Sequence, residues 1–422
     1  MTLLTNLEIL RPAHGGTCIT HTPDGRTVFV SDTLPGEVVD AEVTQERSKI
    51  AFARAVNIHK TSPDRRPHIW PEAHAEHVGG ADLGHVTEPA QRQWKSAVIT
   101  DQLQRIGGPK TLKHIQNILP NGKLAVQAAT GDETGLALHR RTRVDFDVTR
   151  DKQLAMSREG TNELIPIETM PLADEALLDL GLFTDPKWRE RYRISKRVRA
   201  VAPNAGGRRV AIGKQVFNAQ GRRVQPVATW KVQYHDHETF FDVHVNGFWQ
   251  AHRAAPHDLV HAVMEAAKPQ PGEVVLELYS GAGLLSYFLA NAVGQYGRFA
   301  SLEGGKQAVL DARYNLRGMD TPMDLRSGRV DGRSVLRAWS ELEQRPDLVV
   351  LDPPRTGAGR EVTAALASIA PARVVLVSCD PAAGARDIHN LISRGYAVDH
   401  FEALDLFPQT HHVEIVTSLR KI

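Results

Sequence analysis

Cysteine is almost absent: Cys18 and Cys379 are the only two in 422 residues. Two thiols cannot build a disulfide framework, which points to a reducing compartment. No uncharged apolar run reaches the roughly 18 residues that read as a membrane-spanning helix, so no membrane partner is expected. The opening MTLLTNLEILRP lacks a basic segment leading into a long apolar core. A secretory signal is therefore not expected, and the cytoplasm is the expected location. Net charge is small, at +2. That decides nothing about nucleic acid, because basic residues can gather on one face. There is no internal repeat and no low-complexity tract, and the hydrophobic share of 41% is that of a globular chain.

Three regions differ in pattern. Residues 1–62 alternate apolar and polar positions between Gly and Pro signals, with turns at Asp24-Gly25 and Pro35-Gly36. Period-2 patterning at this spacing predicts a small antiparallel barrel. TSPDRRPHIWPE (61–72) reads as a linker. Residues 63–250 mix a helix in AQRQWKSAVITDQLQRIGG with strands in RVDFDV, RRVAIG, ATWKVQY and TFFDVHVNGFWQ, a mixed α+β domain. Residues 251–422 alternate strands and helices, which predicts an α/β domain with a parallel, doubly wound sheet. In such sheets ligands bind beyond the carboxyl ends of the strands.

The polar features of this last region all fall at those ends. Gly281 and Gly283 follow the strand-like VVLEL and open a helix, where glycine lets backbone approach a ligand. Glu303 ends the next strand, where a carboxylate holds ribose hydroxyls. The arrangement suits NAD and S-adenosylmethionine equally; Asp331 is a second carboxylate for the adenine side. DPPR (352–355) narrows the chemistry. Methyltransferases acting on adenine amino groups often place an aromatic ring after Asp-Pro-Pro, and here Arg355 stands there. RNA cytosine-C5 enzymes usually bring a cysteine after the prolines, and this chain has none.

VSCDP (377–381) sets Cys379 at the end of another apolar strand. Methylation at C5 of uracil requires a thiolate to add at C6, a methyl donor, and a base to remove the C5 proton. Cys379 supplies a thiol. Glu414 lies in the apolar HVEIV, where an acid is costly unless used. A buried cysteine is commonly a packing residue, and an acid in an edge strand commonly faces water.

In order along the chain, GFWQ (247–250), LELYSGAG (276–283), SLEG (301–304), DPPRTGAG (352–359), VSCDPAAGARDI (377–388) and LDLFPQTHHVEIV (404–416) make it resemble the RNA uracil-C5 methyltransferases. The resemblance implies a Rossmann-like class I methyltransferase domain using S-adenosylmethionine. It implies Cys379 as nucleophile and Glu414 as base. It also implies Gln250, Tyr279, Glu303 and Asp352 as cofactor contacts, with Asp331 beside them. The N-terminal segment resembles a TRAM domain, an OB-like barrel that tracks RNA backbone and stacks bases. RNA is the implied partner, ribosomal rather than transfer RNA, and a monomer is expected. The basic and aromatic residues of WRERYRISKRVR (188–199), with Arg197 and Arg199, are read as phosphate contacts, and Arg355 as positioning the base or a phosphate. Cytosine-C5 methylation and an inactive RNA-binding assembly factor are the alternatives.

The chain departs from its family in four places. Val78 and Ala81 stand where many members have cluster cysteines, so no four-iron cluster is expected. His68, His74, His77 and His85 crowd the same stretch without zinc spacing, so no metal is expected. Leu284 and His252 each stand where the family favours asparagine. Asp380 replaces the usual asparagine after the cysteine, and a carboxylate beside a thiol raises its pKa unless it is itself paired.

Overall fold

The computed structural model describes residues 2–342 and 344–422. Three sheets carry the fold. The first holds six strands between Leu3–Glu8 and Ile50–Lys60 and curls into a half-barrel rather than a closed one. Strict alternation drives it. In Thr27–Ser31 the inward Val28 and Val30 are fully buried while Thr27, Phe29 and Ser31 are half-exposed. Cys18 is one of these inward residues, packed in the barrel core with its thiol near the Thr33 carbonyl. Glu37 of the Pro-Gly-Glu turn is fully buried and takes a bidentate pair from Arg65, at 2.6 and 2.7 Å.

The second sheet is antiparallel and six-stranded, running from Leu164–Pro166 through Arg143–Val148 and Val198–Val201 to Gln215–Phe217. The third has eight strands. In spatial order they are Met323–Ser327, Arg298–Glu303, Val274–Leu278, Leu348–Leu351, Arg373–Ser378, Glu414–Lys421, Tyr396–Asp405 and Val126–Ala128. The first five run parallel, and Glu414–Lys421 inserts antiparallel beside Arg373–Ser378. Its central strands are continuous Val/Leu runs because helices cover both faces.

Residues 63–250 contribute strands to more than one sheet. Strand Val126–Ala128 pairs with Tyr396–Asp405 at the rim of the third sheet. Hairpin Val227–Tyr234/His237–His244 buries Trp230, Phe241 and Val243 with helices Ala255–Ala267 and Leu284–Val293. Local pattern announces the hairpin strands but not strand Val126–Ala128, nor which sheet it joins.

Helix Glu88–Gln102 turns an unusual stripe toward the third sheet. Glu88, Gln91 and Lys95, at one-face spacing, are 8%, 0% and 1% exposed. Lys95 Nζ donates to Asp405 Oδ1 (2.5 Å) and to the Phe407 carbonyl (3.1 Å). Gln91 exchanges hydrogen bonds with Gln409, whose side chain also donates to Glu88. This stripe fastens the loop that leads into Glu414. Asp405→Asn leaves the Lys95 ammonium buried without its counter-charge. The expected cost is about 3 kcal/mol of stability, read as a lower urea midpoint. An unchanged midpoint would show that the pair is dispensable.

Candidate active site

The register of the third sheet gathers the candidate residues. Leu278 pairs with Leu302 and Leu351, Leu351 with Leu376, and Ser378 with Ile415. One step beyond each pair lie Tyr279, Glu303, Asp352, Cys379 and Glu414, all on one edge. Glu414 opens an interior strand, flanked on both sides, and is 4% exposed, so it does not face water.

Burial governs the acids here. Burial, and then the charge of Asp352, hold the Glu414 carboxyl well above the usual range. Asp352 is itself pushed up to about 7 by burial and by Glu303. Glu414 Oε1 is buried and has no hydrogen-bond partner among the described residues. Burial, then Glu414 and Asp352, push the half-buried Cys379 thiol up to about 12, while Arg355 pulls it down. A thiol, a carboxyl and a guanidinium therefore lie close enough to act on one another's charge.

The cofactor half has an open cradle. Gly281 and Gly283 have φ of 55° and 91°. A Cβ at Gly281 would meet nothing within 4 Å, and the buried Ser280 Oγ has no partner among the described residues. The Glu303 carboxylate accepts from the amides of Gly281 (3.0 Å) and Gly305 (2.6 Å) at the strand end. Tyr279 takes a left-handed φ of 63° at the turn. Asp331 accepts from the Ser334 amide at 2.9 Å and starts helix Gly332–Leu342. Gln250 follows Trp249, whose carbonyl accepts from Arg143 (3.2 Å) and whose ring stacks on Trp230. Glycine backbone, a strand-end carboxylate and an unpartnered hydroxyl fit a nucleoside carrying hydroxyl groups.

The basic segment 188–199 requires a correction. Trp188 and Tyr192 are 0% and 2% exposed and donate to the carbonyls of Leu180 and Leu182, so neither ring can stack on a base. Arg199 is 7% exposed. It forms a bidentate pair with Asp145 (2.6 and 2.8 Å) and donates to the Gly247 carbonyl. Its role is to hold the GFWQ segment, not to meet a phosphate. Interleaved basic and aromatic residues do not by themselves show which face is covered, and the Asp145 partner of Arg199 lies 54 residues away. Arg197 remains well exposed.

The departures from the family also have local explanations. Leu284 packs in the apolar core. His252 is 3% exposed and bonds Asp132 at 2.9 Å. Val78 and Ala81 are buried among apolar side chains. His68 contacts the Ala81 carbonyl, and His74 lies 3.2 Å from Asp32. Among the described residues, no three His, Cys, Asp or Glu are placed to hold a metal.

Two participants escaped the sequence reading. Glu277 is 2% exposed, accepts from Ser286, and is pushed by burial up to about 8. The signal was available, since an acid inside LELYSG is as anomalous as Glu414. His14, from the half-barrel, bonds Asp380 beside the cysteine, and nothing local in the sequence marks it.

A family model for the TRAM domain matches residues 5–56, and one for tRNA (Uracil-5-)-methyltransferase matches residues 341–422. An RNA methyltransferase of Bifidobacterium longum is 33% identical, covering 97% of this chain and 95% of the relative. A 23S rRNA (uracil(1939)-C(5))-methyltransferase of a Shewanella strain is 26% identical over 92% of this chain and 90% of its own length. The Pyrococcus abyssi tRNA (uracil-54, C5)-methyltransferase, solved with S-adenosyl-L-homocysteine, superposes with a TM-score of 0.64. It is 19% identical, with 98% of this chain and 99% of that chain covered, a likeness of fold.

Proposed function

The chain belongs to the S-adenosylmethionine-dependent RNA uracil-C5 methyltransferases, and from that premise we propose that it methylates uridine C5 in ribosomal RNA through Cys379 and Glu414. The observation that carries this reading is the juxtaposition of a half-buried thiol with a buried, unpartnered carboxyl at the ligand edge of the sheet.

The Cys379 sulfur adds to C6 of the uracil ring, and the electron pair of the C5=C6 bond passes into an enolate. When bound, S-adenosylmethionine would supply an electrophilic methyl group for C5, with S-adenosylhomocysteine as the leaving thioether. Glu414 then removes the C5 proton, the C6–S bond breaks, and the double bond re-forms. A carboxyl raised by burial suits this step, because it accepts a proton more avidly than a solvated one. In the free enzyme the thiol is held protonated, so its reactivity is coupled to filling of the site. Arg355 favours the thiolate by its charge. Glu303, Gln250, Tyr279, Asp331 and Asp352 would hold the cofactor around the Gly281–Gly283 turn. The target uridine must leave its stack to reach Cys379, which favours loops and single strands.

Ribosomal RNA is favoured by the name and full-length match of the Shewanella relative. The test is nucleoside mapping of cellular RNA with and without the gene, together with methylation of ribosomal and transfer RNA transcripts by purified protein. Loss of 5-methyluridine from the large ribosomal RNA is expected. Loss confined to transfer RNA would move the substrate, and 5-methylcytidine as product would overturn the base assignment.

A further inference from the structure

Asp380, next to the candidate nucleophile, is engaged at both oxygens. Oδ1 accepts from the Ala383 amide at 2.8 Å and caps helix Pro381–Ile392. Oδ2 lies 2.8 Å from His14 Nε2. His14 comes from the half-barrel, in the loop between strands Arg11–Pro12 and Cys18–His21. That loop is tightly set. Ala13 N donates to Thr17 O at 2.7 Å, and Gly15 and Gly16 have φ of 89° and 77°. A Cβ on Gly16 would come within 2.7 Å of Asp82 Oδ2, the atom that also bonds His411 Nδ1 at 2.6 Å. The rings of His14 and His411 meet edge-on at 6.2 Å. Half-barrel, residue 82 and the base-bearing loop therefore converge beside Cys379.

We propose that His14 is a positioning residue for the nucleophile: as imidazolium it pairs with Asp380 and cancels the carboxylate's charge beside the thiol. The half-barrel thus completes the active site as well as meeting RNA, and the pair compensates for an aspartate where the family favours asparagine. This rests on the reading of Cys379 as nucleophile. The hydrogen bond to Asp380 raises the pKa of His14. Burial, the largest influence, would raise the Asp380 carboxyl, but the His14 bond and charge together with the Ala383 and Ala382 amides hold the group below its ordinary value. The sign follows. His14 is charged below its raised pKa, so the compensation is present below that value and is lost as pH rises through it. The other charges facing the thiol are Glu414, Asp352 and Arg355. Facing His14 are Asp380 and, across the ring pair, His411 with Asp82.

The test is the rate of Cys379 alkylation by iodoacetamide from pH 6 to pH 10, followed by peptide mass spectrometry on the full chain. The variants are His14→Ala, His14→Gln, Asp380→Asn and the His14→Ala/Asp380→Asn double. Well below the thiol pKa the rate follows the thiolate fraction. His14→Ala and His14→Gln should each slow alkylation about threefold to tenfold at pH 7, with the loss shrinking toward pH 10. Asp380→Asn alone should not slow it, and the double variant should react like Asp380→Asn. If His14→Ala is slow both with and without Asp380, or is not slow at all, the proposal is overturned. Normal melting of the two His14 variants excludes a folding defect. Methylation of ribosomal RNA is measured in parallel. The alkylation pattern without any methylation would sustain this proposal while removing the assigned substrate.

Discussion

Cys379→Ala is expected to lower RNA methylation roughly ten-thousand-fold or more, to the limit of detection, because no other group at the strand ends can attack C6. Cys18 cannot substitute, since it is fully buried in the half-barrel core. The same variant should form no covalent complex with a 5-fluorouridine-substituted RNA, which the wild type should trap as a band stable to denaturant. Folding should survive, because the cysteine side chain makes no hydrogen bond within the described residues that alanine would forfeit. Methylation by Cys379→Ala at an ordinary rate would eliminate the covalent mechanism.

Glu414→Gln separates the second half of the reaction from the first. The thiol can still add and C5 can still be methylated, but the C5 proton has lost its acceptor. Turnover should fall about a hundredfold to ten-thousandfold, the usual worth of a positioned base. Enzyme joined to natural, unfluorinated RNA should accumulate, where Cys379→Ala shows none. Glutamine is nearly isosteric, and Glu414 Oε1 has no hydrogen bond to lose among the described residues. In the wild type the base must be ionised, and its pKa is raised. Single-turnover rate should therefore decline as pH falls through that raised value. A flat profile from pH 5 to pH 9, or free RNA with full turnover in Glu414→Gln, would remove Glu414 from the role.

How much of this was legible in the sequence depends on the range of each interaction. Strand, turn and helix around Gly281–Gly283 are encoded within twenty residues, and the sequence predicts them well. The same holds for Cys379 at a strand end. What it missed is long-range. Arg199 looks like surface when only its basic neighbours are read, but its partners Asp145 and Gly247 lie 54 and 48 residues away. Glu88, Gln91 and Lys95 look like the wet side of a helix, yet they are the buried side, because their partners Asp405 and Gln409 lie at the other end of the chain. Asp380 looked like a defect until His14 was placed against it. Polar groups that satisfy one another across hundreds of residues leave no periodicity to detect.

The interior position of strand Glu414–Lys421 also sets when the enzyme becomes competent. Ribosomal synthesis delivers the half-barrel first, and it can begin to fold as soon as residue 60 has emerged. Until residues 414–421 follow, Arg373–Ser378 presents an open edge and Cys379 lacks its neighbouring carboxyl. A nascent chain can thus hold a folded half-barrel long before it holds both Cys379 and Glu414. The last strand to arrive seals the sheet and brings Glu414, the proposed base, beside the thiol, so release of the product waits on that strand.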